Sequence, residues 1–265
     1  MDSYQAVILA LIQGLTEFLP VSSSGHLLLP SQILGWSDQG LAFDVAVHLG
    51  SLGAVILYFR RDLLRLFVAW CRSFWLRRVS ADAVLAWQLV LTCLSAAAAG
   101  WLFADIIEQH MRTLLVIAST TVFFGLLLGW SDRKGVGDRS LDNLSWRDVI
   151  LIGCSQALAL VPGTSRSGIT ITTALALGYS REAATRFSFL MAIPIIAMSA
   201  LYKGSDLVMD DSVAWAPIAI GMVVSAASAY LCIALFLRAI QRLGMMPFVI
   251  YRLFLGLALF ALALI

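Results

Sequence analysis

The chain has 265 residues, of which 60% are hydrophobic and 13% are Asp, Glu, Lys or Arg, with a formal net charge of +2. Soluble globular domains run at roughly 45–50% apolar and about 25% charged residues, so this composition excludes that class and makes lipid the solvent. The mean hydropathy of +0.89 agrees.

In chain order, the start lacks the basic segment and small-residue cleavage site of a signal peptide, so nothing is expected to be removed. Residues 4–19 are long enough for a helix but run into Pro20 and three serines, and the apolar run at 27–34 is too short to cross a bilayer. A helix that enters, breaks at 20–24 and returns by a short helix to the same face accounts for both. Such irregular backbone is tolerated at depth only where protein or a water-filled cavity covers it. Apolar stretches at 41–59, 83–104 and 113–130 each approach or reach the roughly 20 residues of a span. A second polar-cored segment at 149–178, broken around 162–167, precedes stretches at 187–202, 213–237 and 247–265. Six spanning helices and two re-entrant hairpins are therefore predicted in one membrane domain, 1–265. Cys71, Cys93, Cys154 and Cys232 show no metal-ligand spacing and read as buried free thiols filling apolar space.

A shift of 143 positions lays Gln13 on Gln156, Leu15 on Leu158, Ser22 on Ser165, Ser24 on Ser167 and Gly25 on Gly168. Shared Leu arises by chance in any membrane protein, whereas paired Gln, Ser and Gly in one register indicate a duplication, with halves at about 1–135 and about 145–265. Three crossings per half, an odd number, would turn the second half upside down. The cations agree. Expected inner segments hold Arg60, Arg61, Arg65, Arg72, Arg77, Arg78, Arg133, Lys134, Arg139, Arg147, Arg181, Arg186, Arg238 and Arg242. Expected outer ones hold only Arg112 and Lys203, beside Asp105, Glu108, Asp206, Asp210 and Asp211. By the positive-inside rule both termini are extracytoplasmic. The predicted fold is an all-α integral membrane protein of two inverted-topology repeats, each a re-entrant helical hairpin plus three transmembrane helices, with the broken tips meeting near the midplane.

The first tip offers Gln13, Glu17, Ser22, Ser23, Ser24 and His26, and the second offers Thr164, Ser165, Arg166, Ser167 and Gly168. An arginine at that depth costs about 2.5–3.5 kcal/mol and calls for an anionic partner, either Glu17 or a ligand. Hydroxyls and free N–H groups at the start of a short helix suit phosphate, and a guanidinium grips phosphate oxygens in bidentate fashion. Glu17, His26 and the serines together have the makings of acid/base or covalent catalysis, or Glu17 holds a divalent cation. Blander readings stand beside these: Ser22 as a simple cap, Glu17 with Arg166 as a buried ion pair, His26 as a hydrogen-bonded histidine. Asp44 and His48 read as structural, His110 as solvated in an outer loop, and Arg252 as snorkelling or paired with a carboxylate.

"QGLTEFLPVSSSGH" and "PGTSRSGITI", in that order, resemble the undecaprenyl pyrophosphate phosphatases of the bacitracin-resistance family. The likeness extends through "FDVAVHLGSLGAVILYFRRD", "FSFLMAIP" and "PFVIYR". The resemblance implies a multi-pass enzyme of the bacterial inner membrane, with its active site opening to the extracytoplasmic side. Such an enzyme removes the terminal phosphate of a C55 polyprenyl pyrophosphate with a divalent cation, Mg2+ or Ca2+, recycling the lipid carrier for wall polymers. It further implies that Glu17, His26 and Arg166 are essential, that Ser23 or His26 is the nucleophile, and that Ser165 and Ser167 contact phosphate. Bacitracin would compete by binding the substrate rather than the protein. No nucleic-acid partner is expected, and a homodimer is left open. The chain departs from many members at Gln13, where the first carboxylate of an E-x-x-x-E motif is replaced by an amide. The different-class alternative is a transporter or flippase of a phosphorylated polyprenyl lipid, since broken helices at midplane also serve transport.

Overall fold

The structure, a computed structural model, describes residues 1–75, 79–134, 137–204 and 215–264. Arg77, Arg78, Asp206, Asp210 and Asp211 of the charge pattern lie outside these residues, as do the expected span limits at 213 and 265 and the side chains of Glu108 and Lys203.

Helix α1, Ser3–Thr16, opens on a capping box in which Asp2 accepts from the Gln5 backbone N–H while the Gln5 side chain reaches back. It stops before Pro20, and α2, Ser23–Leu34, restarts beyond the break and ends on Gly35 at φ +65°. Then follow α3, Leu41–Tyr58, α4, Arg60–Ser73, α5, Ala81–His110, and α6, Leu114–Lys134. A second helix–break–helix follows. Helix α7, Trp146–Ala157, starts on a Ser145/Asp148 capping box, passes through a 3-10 turn at Leu158–Leu160, breaks, and resumes as α8, Arg166–Ala176. Helices α9, Arg181–Gly204, α10, Trp215–Leu243, and α11, Met246–Ala263, complete the chain. No strand occurs among the described residues, only an isolated bridge between Arg139 and Tyr179.

Among the described residues, six helices are long and apolar enough to cross a membrane, lying in α3, α5, α6, α9, α10 and α11. Their outward faces carry Leu94, Trp101, Phe123, Leu126, Phe254 and Leu257, all exposed, as a lipid-facing wall requires. The ends differ from the expected ones for a physical reason. Helix α9 begins at Arg181, ahead of the apolar run, because its first turns are polar and tied down: the Ala183 N–H donates to Ser180 Oγ, and Arg181 grips buried Asp132 at 2.6 Å. The segment carrying Arg60, Arg61, Arg65 and Arg72, expected as a loop, is the amphipathic helix α4. His110, also expected in a loop, is the last residue of α5. Of the cysteines, Cys93 and Cys232 are buried as expected, but Cys71 is half-buried and Cys154 is exposed.

Apolar burial alone does not drive helices together in lipid, so close backbone approach at small residues carries the packing. A Cβ on Gly14 of α1 would lie 2.5 Å from the Ser225 carbonyl of α10, and one on Gly50 of α3 would lie 2.3 Å from the Met222 carbonyl. Helix α1 packs on α10 as α7 packs on α5, and α3 packs on α10 as α5 packs on α9, while α3 meets α9 and α6 meets α11. The breaks lie inside this frame, against the aromatic core of Phe18, Phe187, Phe189 and Phe236.

Candidate active site

Each break turns on a serine in a backbone region L-residues avoid: Ser22 at φ +74° and Ser165 at φ +69° are the only non-glycine residues with positive φ among those described. Each such residue costs about 1–2 kcal/mol and persists only where its surroundings hold it. The holding bonds are visible. Ser165 Oγ accepts from the Gly168 N–H at 3.1 Å, Ser22 shares a hydrogen bond with Ser24 at 3.2 Å, and the Ser22 carbonyl lies 2.6 Å from His26 Nδ1.

The two breaks interlock. Ser167 Oγ donates to the Leu19 carbonyl at 2.8 Å, the Gly163 N–H donates to Ser24 Oγ at 3.4 Å, and Arg166 Nη2 lies 3.3 Å from Glu17 Oε1. Glu17, 9% exposed, is also held on its other oxygen, by Gln13 Nε2 at 2.9 Å and Ser23 Oγ at 3.0 Å. Over this pair opens a cavity of about 300 Å³, lined by Glu17, Ser22, Ser23, Ser24, Ser165 and Arg166 from the breaks. Asp44 and His48 of α3 and Ile195, Ile196 and Ser199 of α9 form its other wall.

The remaining sequence candidates stand behind this cleft rather than in it. Gln13 is fully buried, with Oε1 unpartnered. Thr164 is buried, and its carbonyl accepts from Arg252. Gly168 leaves room for that arginine, since a Cβ there would lie 2.9 Å from Arg252 Nη1. Ser167 joins the breaks through its bond to Leu19. His26 is turned away: its Nε2 lies 2.6 Å from the Tyr251 hydroxyl and its ring stacks on Tyr251, so neither Glu17 nor Ser23 meets it.

Three residues belong to the site that sequence reasoning set aside or misjudged. His48 points Nε2 at Glu17 Oε2, 3.9 Å away, with Nδ1 2.7 Å from the Asp44 carbonyl. Its signal was a pair of polar residues four apart on an apolar helix. Arg252 does not snorkel and meets no carboxylate among the described residues. Fully buried, it donates to the carbonyls of Pro20, Thr120, Thr121, Gly163 and Thr164, tying both breaks to α6. Tyr251, beside it in "PFVIYR", holds His26.

The described residues include no group of three or more His, Cys, Asp or Glu placed to hold a metal. A carboxylate has about four acceptor sites, and Glu17 uses three, on Arg166, Ser23 and Gln13. One acceptor site on Glu17, with Asp44 on the facing wall, is what the cleft offers a hard cation, which would take its other ligands from phosphate and water.

The family model described as bacitracin resistance protein BacA matches residues 6–258. The chain belongs to this family. Among curated relatives, undecaprenyl-diphosphatase 1 of Pseudoalteromonas translucida (strain TAC 125) is 52% identical to this chain, covering 98% of each. The undecaprenyl-diphosphatase of Saccharophagus degradans is 53% identical over 99% of this chain and 98% of its own. Undecaprenyl-diphosphatase 2 of Stutzerimonas stutzeri is also 53% identical, over 99% and 98%. The matched span includes both breaks, α3 with His48, and Arg252, so the whole cleft lies within the residues that the family model matches.

Proposed function

We infer that this protein is an undecaprenyl-diphosphatase, hydrolysing undecaprenyl pyrophosphate in the membrane to undecaprenyl phosphate and inorganic phosphate, the activity named in its relatives. It thereby returns a lipid carrier to cell-wall synthesis. One observation carries the mechanism: a carboxylate and a guanidinium from two separate breaks meet 3.3 Å apart in a cleft of hydroxyls.

Arg166, the hydroxyls of Ser22, Ser24 and Ser165, and the free N–H groups opening α2 and α8 receive the pyrophosphate oxygens. Ser23 attacks the terminal phosphorus. Its proton passes to Glu17 Oε2, already 3.0 Å from Ser23 Oγ, the Oγ–P bond forms, and the anhydride P–O bond breaks to free undecaprenyl phosphate. Glu17 gives that proton up to the departing phosphate. Water then attacks the phosphoserine, losing its proton to the freed carboxylate, and the P–Oγ bond breaks as Glu17 returns that proton to Ser23 Oγ, releasing inorganic phosphate. Phosphoryl transfer spreads charge over the equatorial oxygens, so Arg166 and the helix starts supply most of the rate by electrostatics. His26 takes a positioning role in this scheme, and nucleophilic attack by His26 is the less favoured version because both its nitrogens are engaged elsewhere. Gln13 orients Glu17 where many relatives of this sequence pattern would place a second carboxylate. A divalent cation, Mg2+ or Ca2+, shared between Glu17 and the phosphates, would neutralise phosphate charge.

The reading includes two re-entrant hairpins in inverted repeat, with halves at about 1–135 and about 145–265. Three observations support it. Ser22 and Ser165 share the 143-residue register and a positive φ. Gln13 and Gln156 share the register, burial and an unpartnered Oε1. Each opening helix packs on a span of the other half, α1 on α10 and α7 on α5. The charge pattern supports extracytoplasmic termini and a cleft opening to that side of the inner membrane. Bacitracin would then act by sequestering substrate, and a homodimer, if formed, is not needed to complete a cleft lined by one chain. Transport of the phosphorylated lipid has no use for a serine bonded to a buried carboxylate, which favours hydrolysis over that alternative.

Phosphate release from a C15 or C55 pyrophosphate in detergent micelles, where vectorial transport has no meaning, tests both parts. The wild type should release phosphate, EDTA should suppress it, and Arg166→Ala should lower the rate about 10²–10³-fold. An inactive wild type would remove the hydrolase reading. A near-normal variant would remove Arg166 from the centre.

A further inference from the structure

Helix α4 divides into three arcs. One faces the protein: Leu66 is buried, Trp70 packs edge-on against Trp87 at 5.5 Å, Trp87 Nε1 donates to Ser73 at 3.2 Å, and Asp62 pairs with Arg186 of α9 at 2.7 Å. A second arc is apolar and exposed, with Leu64, Phe67, Val68 and, just past the helix, Phe74. The third is basic. At 100° per residue Arg61, Arg65 and Arg72 fall within about 40° of one another, in a row of about 16 Å. Together with Leu64, Val68 and Ser80 they line a groove of about 490 Å³ that also touches Asp82.

We propose that this groove is a binding site for anionic phospholipid, with the phosphodiester headgroup on Arg61 and Arg72 and the acyl chains along Leu64 and Val68. Charge complementarity selects the occupant. Arg65 is engaged by Asp82 at 3.3 Å, and Asp62 by Arg186, whereas Arg61 and Arg72 form no ion pair with any described residue. The cationic groups left over on this face therefore face outward, beside exposed apolar side chains, the pairing found in helices that lie in a membrane interface. Connectivity confines the helix there. Only Phe59 separates α4 from the span α3, and α5 crosses again from Ala81, so its outer arcs stay at the bilayer surface where headgroups, not soluble proteins, are the standing neighbours. Basic clusters at such positions recruit acidic lipid. The proposal is independent of the reaction in the central cleft.

The test is thermal unfolding of the full chain in uncharged detergent micelles, titrated with dioctanoyl phosphatidylglycerol, dioctanoyl phosphatidylcholine or inorganic phosphate. Phosphatidylglycerol should raise the wild-type midpoint by about 2–4 °C, an effect weakened by salt, and the other two should not. In R61Q/R72Q that rise should fall by at least half, while phosphate release without added lipid stays at the wild-type rate, reporting an intact fold. R133Q/K134Q, which removes the exposed cations at the end of α6, should keep the rise. An equal rise with phosphatidylcholine or free phosphate, an unchanged rise in R61Q/R72Q, or loss of the rise in R133Q/K134Q instead would each overturn the assignment.

Discussion

Arg252 shows how a charged side chain can be structural without an ionic partner. Its five carbonyl acceptors come from both breaks and from α6, and Gly125 and Gly168 leave the space it fills. Arg252→Ala would strand several of these carbonyls away from water, so it should lower stability by about 3 kcal/mol, seen as an earlier melt in micelles, and reduce phosphate release with it. Arg252→Lys, with a compact ammonium in place of the planar fork, should fall between. At this scale the sequence was most informative where polarity interrupts an apolar run: Glu17, Ser23 and Arg166 stand out that way, and the structure brings all three together. It was least informative where a polar residue keeps helical spacing. His48 and Asp44 look like an ordinary pair one turn apart until α3 is seen to wall the cleft. Arg252 gives no sign of its acceptors, because they are backbone carbonyls distant in sequence.

Helix–break–helix elements were readable because Pro20, Pro162 and clustered serines stop helices for local reasons, and the breaks lie where those residues are. The local reasons do not reveal that both N-cap serines adopt positive φ. That conformation follows from the interlock between the breaks. Its cost can be isolated by comparing two substitutions that equally remove the hydroxyl cap. Ser165→Gly should be more stable than Ser165→Ala by about 1–2 kcal/mol in thermal melts, because only alanine retains the Cβ penalty at φ +69°. Equal stability would mean the backbone relaxes there. Helix α4 was missed for the opposite reason: dense arginines resemble a loop when counted as charges, and only their recurrence on one face, with Leu66 and Trp70 on another, marks a helix.

Across the whole molecule, the positions of the breaks and the charge asymmetry were legible in sequence, whereas the ties between segments distant in the chain were not. The second helix–break–helix is closed at its base by Asp148. This carboxylate accepts from Arg139 at 2.7 Å and from the Tyr179 hydroxyl at 2.7 Å, with Arg139 also stacked over the Tyr179 ring. Burial pushes the Asp148 pKa upward, but hydrogen bonds from Tyr179, Ser145 and Arg139 outweigh it and hold it at about 2, against an ordinary 3.8. Burial and the same carboxylate push the Tyr179 hydroxyl upward. A depressed carboxylate stabilises the fold above its unfolded pKa and loses that contribution as pH falls through the folded one. The melting difference between wild type and Asp148→Asn should therefore be constant from pH 7 to about 5, worth about 2 kcal/mol, and vanish as pH drops from 3.8 towards 2.

The tie made by Arg252 also orders events in time. Both breaks leave the ribosome well before α11, so a partly synthesised chain in the translocon holds Glu17, Ser23 and Arg166 without the arginine that ties the breaks together. The interlock of the breaks is therefore completed only when the last helix takes its place.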